Sequence, residues 1–363
     1  MTQIQAECAK AALTEAGLTI KDVDAVMSPS AFPGAIALAE YMGLNPGIVD
    51  MTGVGGSTFL LLVSRAAAAI AAKQCEVALI TYGSTALSES RAIGTGGRGG
   101  GSGAPWPDCF ETPYGAILAG LYANVASRHM YQYGTTSEQL AEIAVTTRRH
   151  AGMNPNALYR DPISVKDVLE SRTIAWPLHL LDCCVISDGG GAVVVTSPER
   201  ARSLKTKPIW VLGVGEGYRH TANGRRDFTT VAAAQSGPTA FNMAGVKHKD
   251  LDLIMIYDSF TITVLASLED LGFCKKGEGG SFVQGGRIAI DGEYPMNTDG
   301  GGLSSNHPGM RGIFLIIEAV KQLREDFKGT PRQVKDCKIA LCHGTGGNIG
   351  ARHSGVSLIL GRD

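Results

Sequence analysis

Charge is scarce in this chain. Only 18% of its 363 residues are Asp, Glu, Lys or Arg, against roughly 25% in an average soluble domain. The net charge is −1 and no Lys/Arg block reaches five in a row, so the basic footprint of a nucleic-acid or anionic-membrane binder is missing. Long apolar runs are missing too: none approaches the ~20 residues of a membrane span. The N-terminus, "MTQIQAECAKAALTEAG", reads as an amphipathic helix without a basic or signal-type lead. The C-terminal "GRD" matches no retention or peroxisomal address, so a cytoplasmic protein is expected. The cysteines (8, 75, 109, 183, 184, 274, 337, 342) are scattered, several inside apolar strand patterns. They read as small buried hydrophobes. Cys183 and Cys184 are adjacent and cannot form an ordinary metal pair, so no metal site is expected. "GVGEG" (213–217) lacks the helix and spacing of a dinucleotide site, which argues against NAD or FAD.

What the chain has instead is glycine, 47 residues of it, which implies many tight turns and close backbone approaches. Apolar residues make up 44%, enough for a large buried fraction. The length is too great for one small core, so two domains or two fused halves are expected.

Two segments look like copies. "AGLTIKDVDAVM" (16–27) and "AGVKHKDLDLIM" (244–255) share a pattern at an offset of 228 residues, from Ala16 to Ala244. Each reads as a helix end, a glycine C-cap, a short loop and an apolar strand. "CEVAL" (75–79) and "CKIAL" (337–341) form a second pair, each a buried strand behind a long apolar helix. Helices alternating with two-faced apolar strands predict parallel sheets covered on both sides. The fold class is therefore α/β, with halves at 1–200 and 206–363. An insertion at about 86–180 carries the loop "GTGGRGGGSGAPWP" and two helices. The second half shows a strand pattern at "KPIWVLGVGEG" (207–217) for which the first half has no visible counterpart.

Duplicated α/β halves, a helical insertion, and the motifs "HLLDCCVISDGGGAVVV" (179–195), "YDSF" (257–260), "GGGLSSNHPGMRG" (300–312) and "CHGTGG" (342–347) together resemble the thiolase superfamily. The similarity is greatest to its sterol-carrier-protein-type, or lipid-transfer-protein, branch, which includes steroid side-chain-cleaving aldolases. The resemblance implies a layered αβαβα sandwich, a homodimer, and an acyl-CoA substrate with coenzyme A as part of it and no covalently bound cofactor. It also implies a small zinc-ribbon/OB-fold partner protein. In the catalytic members a nucleophilic cysteine opens one helix; the matching position here is Gly56. The asparagine of the Asn-Glu-Ala-Phe loop falls on Tyr257. The loop histidine is His307, and the second, acid/base cysteine is Cys342, followed by His343.

The residues themselves suggest roles. Gly56 and Ser57 precede an apolar helix, whose N-terminal N–H groups form an anion site, with Ser57 or Thr58 as N-cap. Gly344 is a further backbone donor by position. Ser57 as a nucleophile would need a base within reach. His307 is placed to donate through Nε2 to a thioester oxygen. Tyr257, at the C-terminal end of an apolar strand, suits proton transfer, with Asp258 orienting the loop. Cys342 and His343 form a possible acid/base pair, although alternation allows Cys342 to face the core instead. Without a cysteine at position 56, the expected reaction is Cα–Cβ cleavage without an acyl-enzyme: retro-aldol cleavage of a beta-hydroxyacyl-CoA. The alternatives are a thiolase or acyltransferase using another cysteine, and a non-catalytic acyl-CoA- or lipid-binding subunit.

Overall fold

The computed structural model describes residues 1–29, 33–89, 112–114, 117–222 and 224–363. The glycine-rich loop at 94–107 and Cys109 lie outside them. In chain order, the first half runs α1 (Thr2–Ala16), β1 (Ala25–Met27), α2 (Gly34–Met42), β2 (Ile48–Asp50), α3 (Thr58–Ala71) and β3 (Val77–Ser84). The insertion contributes α4 (Leu118–Tyr133), α5 (Ser137–Gly152), α6 (Val165–Glu170) and a hairpin of β4 (Thr173–Ala175) and β5 (Leu178–His179). β6 (Gly189–Thr196) then completes the first sheet, and α7 (Pro198–Ser203) leads out of it. The second half is β7 (Trp210–Arg219), α8 (Ala233–Ala244), β8 (Leu253–Ile256), α9 (Thr261–Asp270), α10 (Gly279–Phe282), α11 (Gly312–Arg324), β9 (Ile339–Gly347) and β10 (His353–Gly361).

The sheets have the orders β2-β1-β3-β6 and β7-β10-β9-β8. Strand alternation assigns their faces. Val26 and Leu79 pack with Ala9, Leu13 and Leu38 of α1 and α2. Met27 and Ile80 point the other way, into one cluster with Leu60, Leu62, Leu315, Met255 and Leu358. Ile254, Leu341 and Ile359 turn outward again to α8 and α9. The result is five layers, αβαβα, with α3 and α11 between the sheets.

The duplication holds at the level of single hydrogen bonds. α1 and α8 both end on a left-handed glycine, Gly17 (φ 78) and Gly245 (φ 67). Asp22 accepts from Thr19 N as Asp250 accepts from Lys247 N, both at 2.8 Å. Asp24 accepts from Glu76 N and Val77 N, and Asp252 from Lys338 N and Ile339 N. As read from the sequence, β7 has no counterpart in the first half among the described residues: β6 pairs with β3 alone. Among the described residues no helix is long and apolar enough to cross a membrane.

Candidate active site

A cavity of about 880 Å³ opens where the two halves meet beneath the insertion. Its floor is built from loop ends. Gly55 and Gly56 arrive at the start of α3, Tyr257 directly after β8, and His307 and Met310 ahead of α11. Thr345 to Gly347 come from the end of β9. Its walls come mostly from the insertion and are largely apolar, with Leu118, Leu121 and Tyr122 of α4 beside Ile174, Leu180 and Leu181, but they also carry Arg148 and Arg172.

Tyr257 and His307 meet on this floor. Their rings stand edge to face, and Tyr257 Oη lies 2.9 Å from His307 Nε2. The same oxygen accepts from Arg311 N at 3.2 Å. Both side chains are buried. Burial pushes the phenol well above its usual range. Burial, and then the nearby Arg311 charge, pull the imidazole down to about 4, so it is neutral at pH 7. Its Nδ1 has no hydrogen-bond partner among the described residues. The expected free Nε2 donor to a thioester oxygen is thus half of a Tyr–His pair.

Gly56 explains the missing cysteine physically. A Cβ at this position would lie 2.3 Å from Tyr257 Cε2 and 2.5 Å from Cζ. The tyrosine ring, together with Thr345 O at 2.5 Å, fills the space that a side chain at 56 needs.

The histidine loop is held from several sides. Asp258, fully buried, accepts from Gly302 N (2.7 Å) and Leu303 N (3.2 Å), as expected for a residue that orients the loop. Its carboxyl is raised to about 6, chiefly by burial. Buried Arg311 pairs with Asp299 and donates from Nε to Asn306 O at 3.2 Å. Tyr82 of β3 donates to Pro308 O (2.5 Å) and accepts from Met310 N (3.1 Å). His307 N donates to Ser187 Oγ at 3.1 Å. Sequence reasoning missed Tyr82, Arg311 and Tyr122, whose hydroxyl donates to Gly347 O at 3.0 Å. Arg311 lies inside the quoted motif at 300–312, but nothing in the motif marks it as the loop's anchor; the runs around Tyr82 and Tyr122 carried no pattern that separates them from ordinary core.

Four expected site residues fall elsewhere. Cys342 is fully buried against α11, its thiol donating to Leu315 O at 3.5 Å, and burial raises its pKa. His343 faces the opposite layer, with Nδ1 2.9 Å from Ser357 Oγ. Neither lines the cavity, because β9 runs on to Gly347 and it is the end of the strand that reaches the floor. Gly344 is set opposite Val356 in the ladder. The Asn348 N to Arg352 O bond fixes the phase in which its N–H is spent on β10. Ser57 sits at the N-cap position of α3 but makes no cap bond; its hydroxyl meets Ser354 Oγ at 2.7 Å. Among the described residues its partners are Ser354 Oγ and Val54 O, neither a base, and it is fully buried, which does not suit a nucleophile. Thr58 instead closes the turn, bonding Gly55 O and Val54 N.

Cys183 and Cys184, read from sequence as packing, both line the cavity. Burial pushes Cys183 to about 12 and Cys184 higher, so neither is an activated thiolate. Among the described residues no cluster of three or more His, Cys, Asp or Glu could hold a metal ion.

Comparison with known proteins agrees with this architecture. The family model described as "Thiolase C-terminal domain-like" matches residues 215–362. A "Steroid side-chain-cleaving aldolase" of Thermomonospora curvata is 36% identical over 359 residues, covering 95% of this chain and 90% of that protein. An "Acetyl-CoA acetyltransferase" of Methanothermobacter thermautotrophicus is 39% identical over 244 residues, 66% of this chain but only 63% of that protein's length. The solved "Ltp2-ChsH2(DUF35) aldolase" superposes with a TM-score of 0.88 at 34% identity, covering 100% of this chain and 93% of the other. The chain belongs to the thiolase superfamily, in its sterol-carrier-protein-type, lipid-transfer branch.

Proposed function

We propose that this protein is a carbon–carbon lyase that cleaves a beta-hydroxyacyl-CoA by a retro-aldol reaction, without an acyl-enzyme. The observation that carries this reading is the Tyr257 ring in the space of a side chain at Gly56. A tyrosine there excludes a nucleophilic thiol and puts a proton-transfer group in its place. The aldolase relative in T. curvata and the solved aldolase support the same class.

The proton path is short. The substrate's beta-hydroxyl gives its proton to Tyr257 Oη, which passes its own to His307 Nε2 across 2.9 Å. The Cα–Cβ bond breaks, its electron pair moves into the thioester as an enolate, and a ketone or aldehyde leaves. The stored proton returns through the same pair to Cα, giving the shortened acyl-CoA. The Arg311 N–H, donating to Tyr257 Oη, stabilises phenolate character as the proton moves. The N-terminal end of α3 at Gly56 faces the enolate with the positive end of the helix dipole. A neutral His307 suits this role, since an imidazolium could not accept the proton.

The largely apolar walls of the 880 Å³ cavity fit a lipid or steroid side chain. We also assign this chain a homodimer and a small partner subunit. The solved aldolase that it resembles is named for two components.

Incubation with a beta-hydroxyacyl-CoA is expected to release a carbonyl product and a shortened acyl-CoA, with no free CoA consumed. A stable acyl adduct on Cys183, Cys184 or Cys342 in intact-mass analysis would replace this reading with a thiolase or acyltransferase.

A further inference from the structure

Three arginines are buried among the described residues: Arg148, Arg311 and Arg332. Arg311 pairs with Asp299 and Arg332 with Glu318, as buried charges ordinarily must. Arg148 is only 6% exposed, yet among the described residues no carboxylate pairs with it. It is also the one of the three that lines the active-site cavity.

Arg148 stands on the buried face of α5, beside Ala144, Thr147 and Ala151. Its Nε donates to Ser304 Oγ at 2.7 Å and its Nη1 to Asp161 O at 3.2 Å. Asp161 offers only that backbone oxygen and is itself exposed. The guanidinium lies over the Tyr159 ring, 5.4 Å from its centre. Tyr159 N and Leu158 N bond Ser304 O and Ser305 O at 2.9 and 3.0 Å, so the segments that grip Arg148 are clamped to each other. These contacts fix the fork without using it up. Its Nη2 group has no acceptor among the described residues. Arg172, the other arginine of the cavity, is exposed, so water competes for its charge.

We propose that Arg148 is an anion subsite of this cavity and that the substrate carries a carboxylate on its acyl group. The proposal rests on the acyl-CoA reading above and narrows its substrate class. A fixed, desolvated fork suits the two oxygens of a carboxylate. The phosphates of coenzyme A are the other anionic oxygens that such a substrate offers. Ser304, which holds Arg148, lies on the loop that carries His307, three residues ahead of it, whereas the diphosphate stands at the far end of the pantetheine arm from the thioester. A single buried guanidinium also cannot neutralise a diphosphate. Both points favour the acyl carboxylate.

The test compares saturated thioesters of equal length by calorimetric titration: hexanoyl- with hexanedioyl-CoA, and octanoyl- with octanedioyl-CoA. None has a beta-hydroxyl, so binding is read without cleavage. At one length or both, the intact protein should bind the carboxylate-ended thioester at least about tenfold more tightly. Arg148→Gln should abolish or reverse that preference, because an unpaired carboxylate is costly to bury, while affinity for free coenzyme A stays the same. Arg148→Lys keeps the charge without the fork and should restore the preference in part. Equal or weaker binding of both carboxylate-ended thioesters by the intact protein overturns the proposal, with no variant needed. So does an Arg148→Gln protein that loses affinity for free coenzyme A as much as for every thioester, since that moves the arginine to the phosphates. Cleavage is read separately, as carbonyl release from beta-hydroxyoctanedioyl-CoA. A carboxylate preference without cleavage keeps the subsite and removes the lyase reading; cleavage without the preference does the reverse.

Discussion

In the proposed reaction, position 56 acts through its neighbour. Any side chain there must displace both the Tyr257 ring, whose carbons stand 2.3–2.5 Å from the site of a Cβ, and the backbone oxygen of Thr345 at 2.5 Å. Gly56→Cys is therefore expected to cost about 1–3 kcal/mol by overpacking, seen as a lower thermal midpoint, and to yield no acyl-enzyme by mass. Tyr257→Phe keeps the ring in place and removes only the hydroxyl. It should lower kcat by about 10²–10⁴-fold and, by leaving the buried Arg311 N without its acceptor, cost about 1–3 kcal/mol of stability; undiminished turnover would remove Tyr257 from the mechanism. His307 gives a pH signature. It is neutral when it accepts a proton, and burial holds its pKa near 4 in place of 6.5. The acid limb of kcat/KM should accordingly lie near pH 4, and a limb near 6.5 would mean that the buried pair does not carry the reaction. Stability follows the same sign: below about pH 6.5 the unfolded chain takes up a proton that the folded chain refuses. This histidine's contribution is thus complete above pH 6.5 and shrinks as the pH falls toward 4.

At the scale of elements, strands and loops are fixed by short polar clamps. Tyr82→Phe removes both bonds from β3 to the histidine loop and leaves Met310 N without its acceptor. A loss of about 1–3 kcal/mol is expected in denaturant unfolding, with kcat reduced though Tyr257 is intact. Asp24 and Asp252 hold the starts of β3 and β9 by equivalent pairs of bonds. Asp24→Ala and Asp252→Ala should each destabilise by about 1–2 kcal/mol; a neutral effect at one would break the functional equivalence of the halves. These aspartates show why the fold was legible in the sequence. The D-x-D spacing, the glycine caps and the strand periods are local rules, and the chain states them twice. Tyr257 and His307 could be placed near one another from sequence because loops after apolar strands and ahead of helices gather at the same edge of an α/β fold, and both line the cavity floor. Cys342 and His343 were misplaced because nothing local says that β9 continues to Gly347. The Tyr257–Gly56 contact and the Arg311 anchor join segments far apart in sequence, and periodicity is silent about such distances.

At the scale of the molecule, the cavity floor exists because two helices from different halves start in the same place. α3 and α11 fill the layer between the sheets, and their N-terminal ends touch through backbone. A Cβ at Gly312 would lie 2.2 Å from Gly56 O and 3.2 Å from Phe59 and Leu60; one at Gly344 would lie 2.9 Å from Ser57 Cα. The approach brings the start of α3, just after Gly56, under the loop that carries His307, so any spacer between the helices also moves His307. Gly312→Ala tests this coupling with one methyl group. Its cost should be about 1–3 kcal/mol, and turnover should fall at least tenfold, because the Tyr–His separation of 2.9 Å leaves little room for a shifted loop. Gly47→Ala is the control: its Cβ would meet only Asp24 O at 3.9 Å, so stability and rate should stay near those of the unaltered protein. If Gly312→Ala loses stability but keeps its rate, the histidine loop is positioned by Asp258, Arg311 and Tyr82 alone. If it loses rate far beyond its loss of stability, the packing between the halves sets the geometry of the proton path.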